Sequence, residues 1–218
     1  MEYEGVSINW LHHNCFRISG TKTCIYTDPY KIQKDYNDAD VVLITHDHHD
    51  HLDQDGIKRV VRADSWIVAP LDCEDALDGF ENEKVLVAPD EFKIVCGIPI
   101  RTIASYNTNK FSGKDVFHPK KKGNVGYNFI LDGVRFYIAG DTDFTPEVAR
   151  VRTDVAMLPV SGKYVMTWAE AAEAAAKIKA KLTIPAHYGY GIGTEEDAQN
   201  FKKAVGKSSR VEILKQVD

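Results

Sequence analysis

No stretch of this chain approaches 18 consecutive apolar residues, and its first ten residues carry neither a basic cluster nor an apolar run. A membrane-spanning helix and a secretory leader are therefore not expected, and the reading is a cytoplasmic protein with no membrane contact. The four cysteines, Cys15, Cys24, Cys73 and Cys96, show no C-x-x-C spacing, and each sits in or beside an apolar segment. Buried, reduced thiols fit that distribution better than disulfides or zinc ligands. A positive excess is missing too: Lys+Arg 27 against Asp+Glu 32 leaves a formal charge of −5. Holding nucleic acid by phosphate neutralisation needs a basic field, so nucleic acid is not an expected partner. There is no fixed-period repeat and no low-complexity linker among the 218 residues. A chain of this length buries about 70% of its unfolded surface, so one domain over residues 1–218 needs no structural metal, and any metal is free for chemistry.

Short apolar, β-branched segments dominate: 6–10, 15–18, 23–26, 41–45, 66–69, 84–87, 92–95 and 98–104, then 125–131, 134–139, 155–159, 182–186 and 211–214. Each is strand-length and bounded by turn-forming residues, and Asp132-Gly133 marks a hairpin. Helices are expected between them. Thr167 with Glu170 and Thr194 with Asp197 start capping-box patterns running to about Lys181 and Val205, Thr145-Pro146 reads as an N-cap followed by proline at the first helical position, and Gln54–Ala63 is a fourth candidate. This order implies sheets packed on each other with helices outside.

Eight histidines are present, at 12, 13, 46, 48, 49, 51, 118 and 187, and half of them fall between 46 and 51. His46 and His48 follow an apolar strand, and side chains two apart on extended backbone point the same way, so both imidazoles can face one cation. Asp50 and His51 sit in the turn before a helix, where the chain can curl toward a second cation. Imidazole and carboxylate together suit zinc, manganese or iron. Two further apolar strands end in chemistry, one at Gly140-Asp141 and one at His187.

The run His46-Asp47-His48-His49-Asp50-His51, with Gly140-Asp141 and His187 following in order, resembles the H-x-H-x-D-H motif of the metallo-β-lactamase fold hydrolases. Trp10-Leu11-x-His13, Thr27-Asp28-Pro29, Ala139 to Thr142 and Pro185-x-His187-Tyr188 make it similar to the ascorbate phosphate lactonase-like subgroup. The resemblance implies a four-layer αβ/βα sandwich with two divalent cations, zinc first, at one edge between the sheets. It places His46 and His48 on the first cation, Asp50, His51 and His187 on the second, and Asp141 on both. His49 would not be a ligand, Asp28 would orient a ligand histidine, His13 would lie beside the site without ligating, and His12 would face outward. One departure stands out: the strand ending at Ser105-Tyr106-Asn107 lacks the third histidine that the family supplies to the first cation. His118 is the favoured replacement, with Asn107 or water as the alternatives.

Two cations can share a water and lower its pKa from 15.7 toward about 7. The expected activity is hydrolysis of an ester, lactone, amide or phosphodiester bond of a small, anionic molecule by a metal-bridging hydroxide, with Asp50 taking the proton. No G-x-S-x-G or Ser-His-Asp pattern competes. Lys110, Lys114 and Lys120 to Lys122 flank His118 and could attract an anion, while Lys163-Tyr164, Tyr188 and Tyr190 could line the cleft, with glycines 189, 191 and 193 on its rim. The competing readings are an RNA or nucleotide phosphodiesterase, a di-iron redox enzyme, and a metal-binding protein without catalysis. A homo-oligomer is left open.

Overall fold

The computed structural model describes residues 1–189 and 191–218; Tyr190 lies outside the described residues. The first sheet has seven strands in sequence order, β1 (Glu2–Tyr3), β2 (Val6–His12), β3 (Cys15–Ser19), β4 (Cys24–Thr27), β5 (Ala39–Leu43), β6 (Val61–Pro70) and β7 (Glu83–Val87). It begins as an antiparallel meander and continues parallel from β4 onward. The second sheet contains β8 (Phe92–Val95), β9 (Ile98–Ala104), β12 (Val125–Leu131), β13 (Val134–Ile138), β14 (Val155–Pro159), β15 (Leu182–Ala186) and β16 (Arg210–Val211). Its spatial order is 16-15-14-13-12-9-8, and it is parallel from β13 to β16. A short hairpin, β10 (Phe111–Ser112) with β11 (Asp115–Val116), stands apart.

Alternation along the strands decides what each face meets. On β5 and β6, Val41, Leu43 and Val68 turn inward to the core between the sheets, whereas Val42, Ile44, Ile67 and Ala69 turn outward. The outward set packs with Ile57 and Val60 of α1 (Gln54–Val60) and Leu77 of α2 (Glu74–Leu77). On the second sheet Val125, Tyr127 and Phe129 join the core that also takes Ala171, Ala175 and Ile178 of α4 (Trp168–Ile178) and Phe201 of α5 (Glu195–Val205). The helix α3 (Pro146–Ala149) completes the set. Helix, sheet, sheet, helix is the four-layer αβ/βα sandwich expected. The buried Tyr127 hydroxyl also ties the two sheets, donating to Ile44 O at 2.6 Å.

Both capping boxes form, at Thr167/Glu170 and Thr194/Asp197, and Thr145 caps α3 with Pro146 in its first turn. Two expectations are corrected. Val61 turns to extended backbone and Val61–Ala63 belong to β6, not to α1, because Val61 pairs with Ala39. Cys96 is exposed at the turn between β8 and β9, although Cys15, Cys24 and Cys73 are buried; all four thiols are free. The short α2 and the β10–β11 hairpin carry too few apolar residues to signal themselves in the sequence. No helix among the described residues is long and apolar enough to cross a membrane.

Candidate metal centre

The parallel strands of both sheets point their carboxyl ends to one edge, the usual place for a ligand in such folds. β5 runs on into His46, β13 into Gly140-Asp141 and β15 into His187. Backbone hydrogen bonds join the tips: Val125 N to Thr45 O at 3.1 Å and His187 N to His13 O at 3.1 Å. Several of these residues sit at positive φ, with His13 at 48°, Asp28 at 37°, Gly140 at 65° and His187 at 55°. Strained backbone concentrated at one edge is typical of a functional site. The turn after β5 folds back through His51 N and Leu52 N to His48 O, at 2.9 and 2.8 Å, which returns Asp50 and His51 toward the strand tips.

Three donor groups result, each with its nitrogen or oxygen atoms within 4.8 Å of one another: His46, His48 and His118; His13, Asp50, His51 and His187; and His46, His51 and Asp141. Asp141 is the hub. One oxygen lies 3.1 Å from His187 Nε2 and 3.5 Å from His118 Nε2, the other 3.3 Å from His51 Nε2.

Four of the inward nitrogens are aimed by a contact on the opposite side of the ring. His51 Nδ1 donates to Asp28 at 2.7 Å, His118 Nδ1 to Asn107 Oδ1 at 2.8 Å, while Thr45 Oγ1 lies 3.0 Å from His46 Nδ1 and Ser161 Oγ 3.1 Å from His187 Nδ1. Such partners fix ring tautomer and direction at metal sites. Asp28 is itself fixed by the Thr45 N–H and hydroxyl and by Asn14 Nδ2, at 2.7 to 2.8 Å.

Burial and mutual proximity set the charges. Burial pushes His46 well below the ordinary histidine range, and His51 beside it adds to the shift. His13 falls to about 3 from burial and the nearby His187, despite the opposing pull of Asp50. His118 is also lowered, by burial above all. His51 behaves oppositely: burial opposes its charge, yet Asp141 and Asp28 raise it to about 9. Burial would raise the carboxyls of Asp141 and Asp50, but the surrounding imidazoles hold both well below the usual carboxylate range.

The donor set fits a cation. His13 Nε2, His46 Nε2, His51 Nε2 and Asp141 Oδ1 are buried and make no hydrogen bond among the described residues. Leaving such atoms unsatisfied costs about 1–3 kcal/mol each, which a cation between them removes.

A cavity of about 360 Å³ opens above the cluster, walled by Tyr30, Phe117, Tyr164 and Ile192, with Lys31 lining it as well. No serine, threonine or cysteine lines it among the described residues. Ser161 contacts His187 outside this cavity and works as an anchor for the ring.

His46, His48, Asp50, His51, His118, Asp141 and His187, the residues expected from the sequence, all meet here, and His49, its side chain 88% exposed, lines the cavity without entering any of the three donor groups. Asn107 is not turned toward the cluster as a donor; it grips His118. Three expectations are corrected. His12 faces inward, 4% exposed beside Tyr30, because β2 carries it into the cavity wall. Tyr188 is buried and stacks on Trp10 with ring centroids 4.9 Å apart, so it does not line the cleft. Three lysines near His118 are already neutralised: Lys110 by Asp143 and Glu170, Lys120 by Glu147, Lys122 by Asp47 and Asp72. Sequence reasoning undervalued His13, whose Nε2 stands 3.4 Å from Asp50 within the second group; its adjacency to the Trp10 motif was the available signal.

Residues 7–187 match the family model described as a beta-lactamase superfamily domain. The chain is 30% identical to a UPF0173 metal-dependent hydrolase of Thermococcus onnurineus and 31% identical to one of Pyrococcus furiosus, with 96% of each chain covered in both cases. Among solved structures, a protein from Parabacteroides distasonis described as a candidate metal-dependent hydrolase shares 30% identity at a TM-score of 0.83, over 97% of this chain and 94% of that one. Motif, sandwich, converging donors and these likenesses agree that the chain belongs to the beta-lactamase superfamily, among its UPF0173 metal-dependent hydrolases.

Proposed function

We propose that this protein hydrolyses an ester, lactone or phosphodiester bond of a small anionic molecule at a two-cation centre. His46, His48 and His118 would hold one cation, and Asp50, His51 and His187, with His13 in reach, the other. Asp141 would serve both. Nitrogen and oxygen donors of this mix favour zinc, with manganese or iron as alternatives. When bound, such a pair supplies a Lewis acid for the attacked oxygen and brings the pKa of water from 15.7 toward about 7.

The protein's own groups do the rest. Asp28, Thr45, Asn107 and Ser161 hold the imidazoles in place. Asp50 is ionised at neutral pH and can accept the proton that attack releases. The aromatic wall excludes bulk water, which strengthens charge interactions inside. Lys31 lines the cavity and has no carboxylate within 4 Å among the described residues, so it is the cation available to an anionic substrate, in place of the loop lysines.

The observation that carries this reading is the set of buried donor atoms of His46, His51 and Asp141, unsatisfied among the described residues, beneath a cavity that no described serine, threonine or cysteine lines. A panel of chromogenic phosphodiesters, lactones and esters, assayed with zinc, manganese and iron, tests it. Turnover that chelator abolishes and Asp50→Asn lowers by about 10²–10⁴-fold is expected. No turnover in fully loaded protein would leave a metal-binding protein without catalysis. Lys31→Ala should raise KM for anionic substrates while sparing neutral analogues.

A further inference from the structure

A second cleft, about 720 Å³, lies away from the metal centre, on the outer face of β8, β9 and β12. Of the helices on the second sheet, α3 borders it through Glu147. Its apolar floor includes Phe92, Ile103 and Ile130, while Arg101, Lys120, Arg135, Arg150 and Arg152 face only Asp90 and Glu147. Arg101 pairs with Asp90 at 3.5 Å and Lys120 with Glu147 at 2.6 Å. Arg135 and Arg150 have no carboxylate within 4 Å among the described residues. A basic groove on a chain of net charge −5 needs a counterpart.

That counterpart is on the same chain. Between 72 and 83 the sequence holds Asp72, Glu74, Asp75, Asp78, Glu81 and Glu83 with no basic residue, and all six are exposed. This segment begins beside the cleft, at Asp72, and continues over the outer face of the first sheet. β7 and β8 are edge strands of the two sheets, and only residues 88–91 join them. The turn at 120–122 touches both sides, Lys120 on the cleft and Lys122 on Asp72 at 3.2 Å. Two large apolar side chains are exposed on edge strand β8, Phe92 at 54% and Ile94 at 66%, and Leu71, at 57%, immediately precedes the acidic segment. An edge strand with uncovered apolar residues invites pairing with another chain.

We infer that this edge is a two-fold interface between two copies of the chain, the basic cleft of one receiving the acidic 72–83 segment of the other. Basic and acidic faces that flank one edge complement each other under a half-turn, which places each on its opposite. Phe92, Ile94 and Leu71 then lose water at the centre of the contact, and the charges set its register. An acidic peptide or a nucleic acid would satisfy the basic half alone and leave the acidic half and Leu71 exposed.

Sedimentation velocity of the full, metal-loaded chain tests the interface between about 0.01 M and about 1 M salt, where the screening length falls from roughly 30 Å to roughly 3 Å. A dimer at low salt whose dissociation constant rises at least about tenfold at high salt is expected. Arg150→Glu and Ile94→Asp should each weaken it by about tenfold or more, and adding Asp78→Lys to Arg150→Glu should recover most of the loss. Unchanged metal stoichiometry in these variants shows that the fold is kept. A monomer at low salt, a dimer indifferent to both substitutions, or a monomer that captures acidic peptide or RNA through the cleft would overturn the inference.

Discussion

The carboxamide oxygen of Asn107 accepts from both the backbone N–H and the ring Nδ1 of His118, at 3.0 and 2.8 Å. The amide nitrogen of Asn107 donates to Asp143 Oδ1 at 3.1 Å and to Tyr164 O at 2.8 Å. Both ends of the side chain are therefore committed, and the residue that ends the strand-tip segment acts as a clamp. A histidine from a loop joins His46 and His48, where the strand tip itself offers none. Asn107→Ala should weaken one of two bound cations by about 10–100-fold and spare the other, as read by chelator competition. Equal loss at both sites, or at neither, would show that the clamp does not aim His118.

His51 gives the metal-free protein a distinctive pH response. Its pKa is raised to about 9 from the ordinary 6.5, so its contribution to stability is full below about 6.5 and is lost as pH rises through about 9. His13 and His46 are depressed, so the unfolded chain takes up their protons first and their effect is to lower stability as pH falls below about 6.5. Cation loading at pH 8 should then expel about one proton, from His51, which calorimetry in buffers of different ionisation enthalpy can measure. No proton release at pH 8 would contradict the charged His51.

Gly140 precedes Asp141 at φ 65°, and a Cβ there would lie 3.1 Å from Thr45 Cβ and 3.2 Å from Val125 O. Gly140→Ala should cost about 1–2 kcal/mol from the left-handed backbone alone, lowering Tm by roughly 2–8 °C. Because Asp141 contacts both donor groups, metal affinity should fall in parallel. A variant with wild-type Tm and affinity would show that the strand tip is freer than its packing indicates.

Glu170 closes the capping box of α4 and accepts from Asn109 Nδ2 and Lys110 Nζ, each at 2.9 Å. Burial would raise its pKa, but Asn109, Lys110 and the Thr167 N–H together bring it down to about 2. Its stabilisation is present above about 4.3 and is lost as pH falls toward 2. Glu170→Gln should lower stability at pH 7 by about 1–2 kcal/mol and make no difference near pH 2. Chemical denaturation at the two pH values separates these outcomes.

Most of the candidate centre was legible because its residue types are rare and their spacing is mechanical. Histidines two apart after an apolar strand share a direction, and Gly140-Asp141 and His187 end equally apolar strands. The capping boxes were legible for the same local reason, since a threonine and an acid three residues on need only one turn of chain to find each other. What escaped depended on distance in space. His12 and His13 differ by one residue, and alternation alone would send them to opposite sides, yet His13 turns to φ 48° and both are buried. The lysines around His118 looked like free cations until Asp143, Glu147, Asp72 and Glu170, from four other segments, came within 4 Å.

The sequence by itself determined the candidate donors, the strand-rich alternation that makes two sheets with helices outside, and the caps that start the helices, because each rests on contacts within a few residues. The tertiary structure alone decided that His118 reaches the centre from a loop, that Asn107 grips it, that Lys31 and not the lysine run meets the cavity, and that a basic cleft lies beside an acidic segment. Those outcomes depend on which side chains arrive from remote parts of the chain, and packing, not local propensity, sets that.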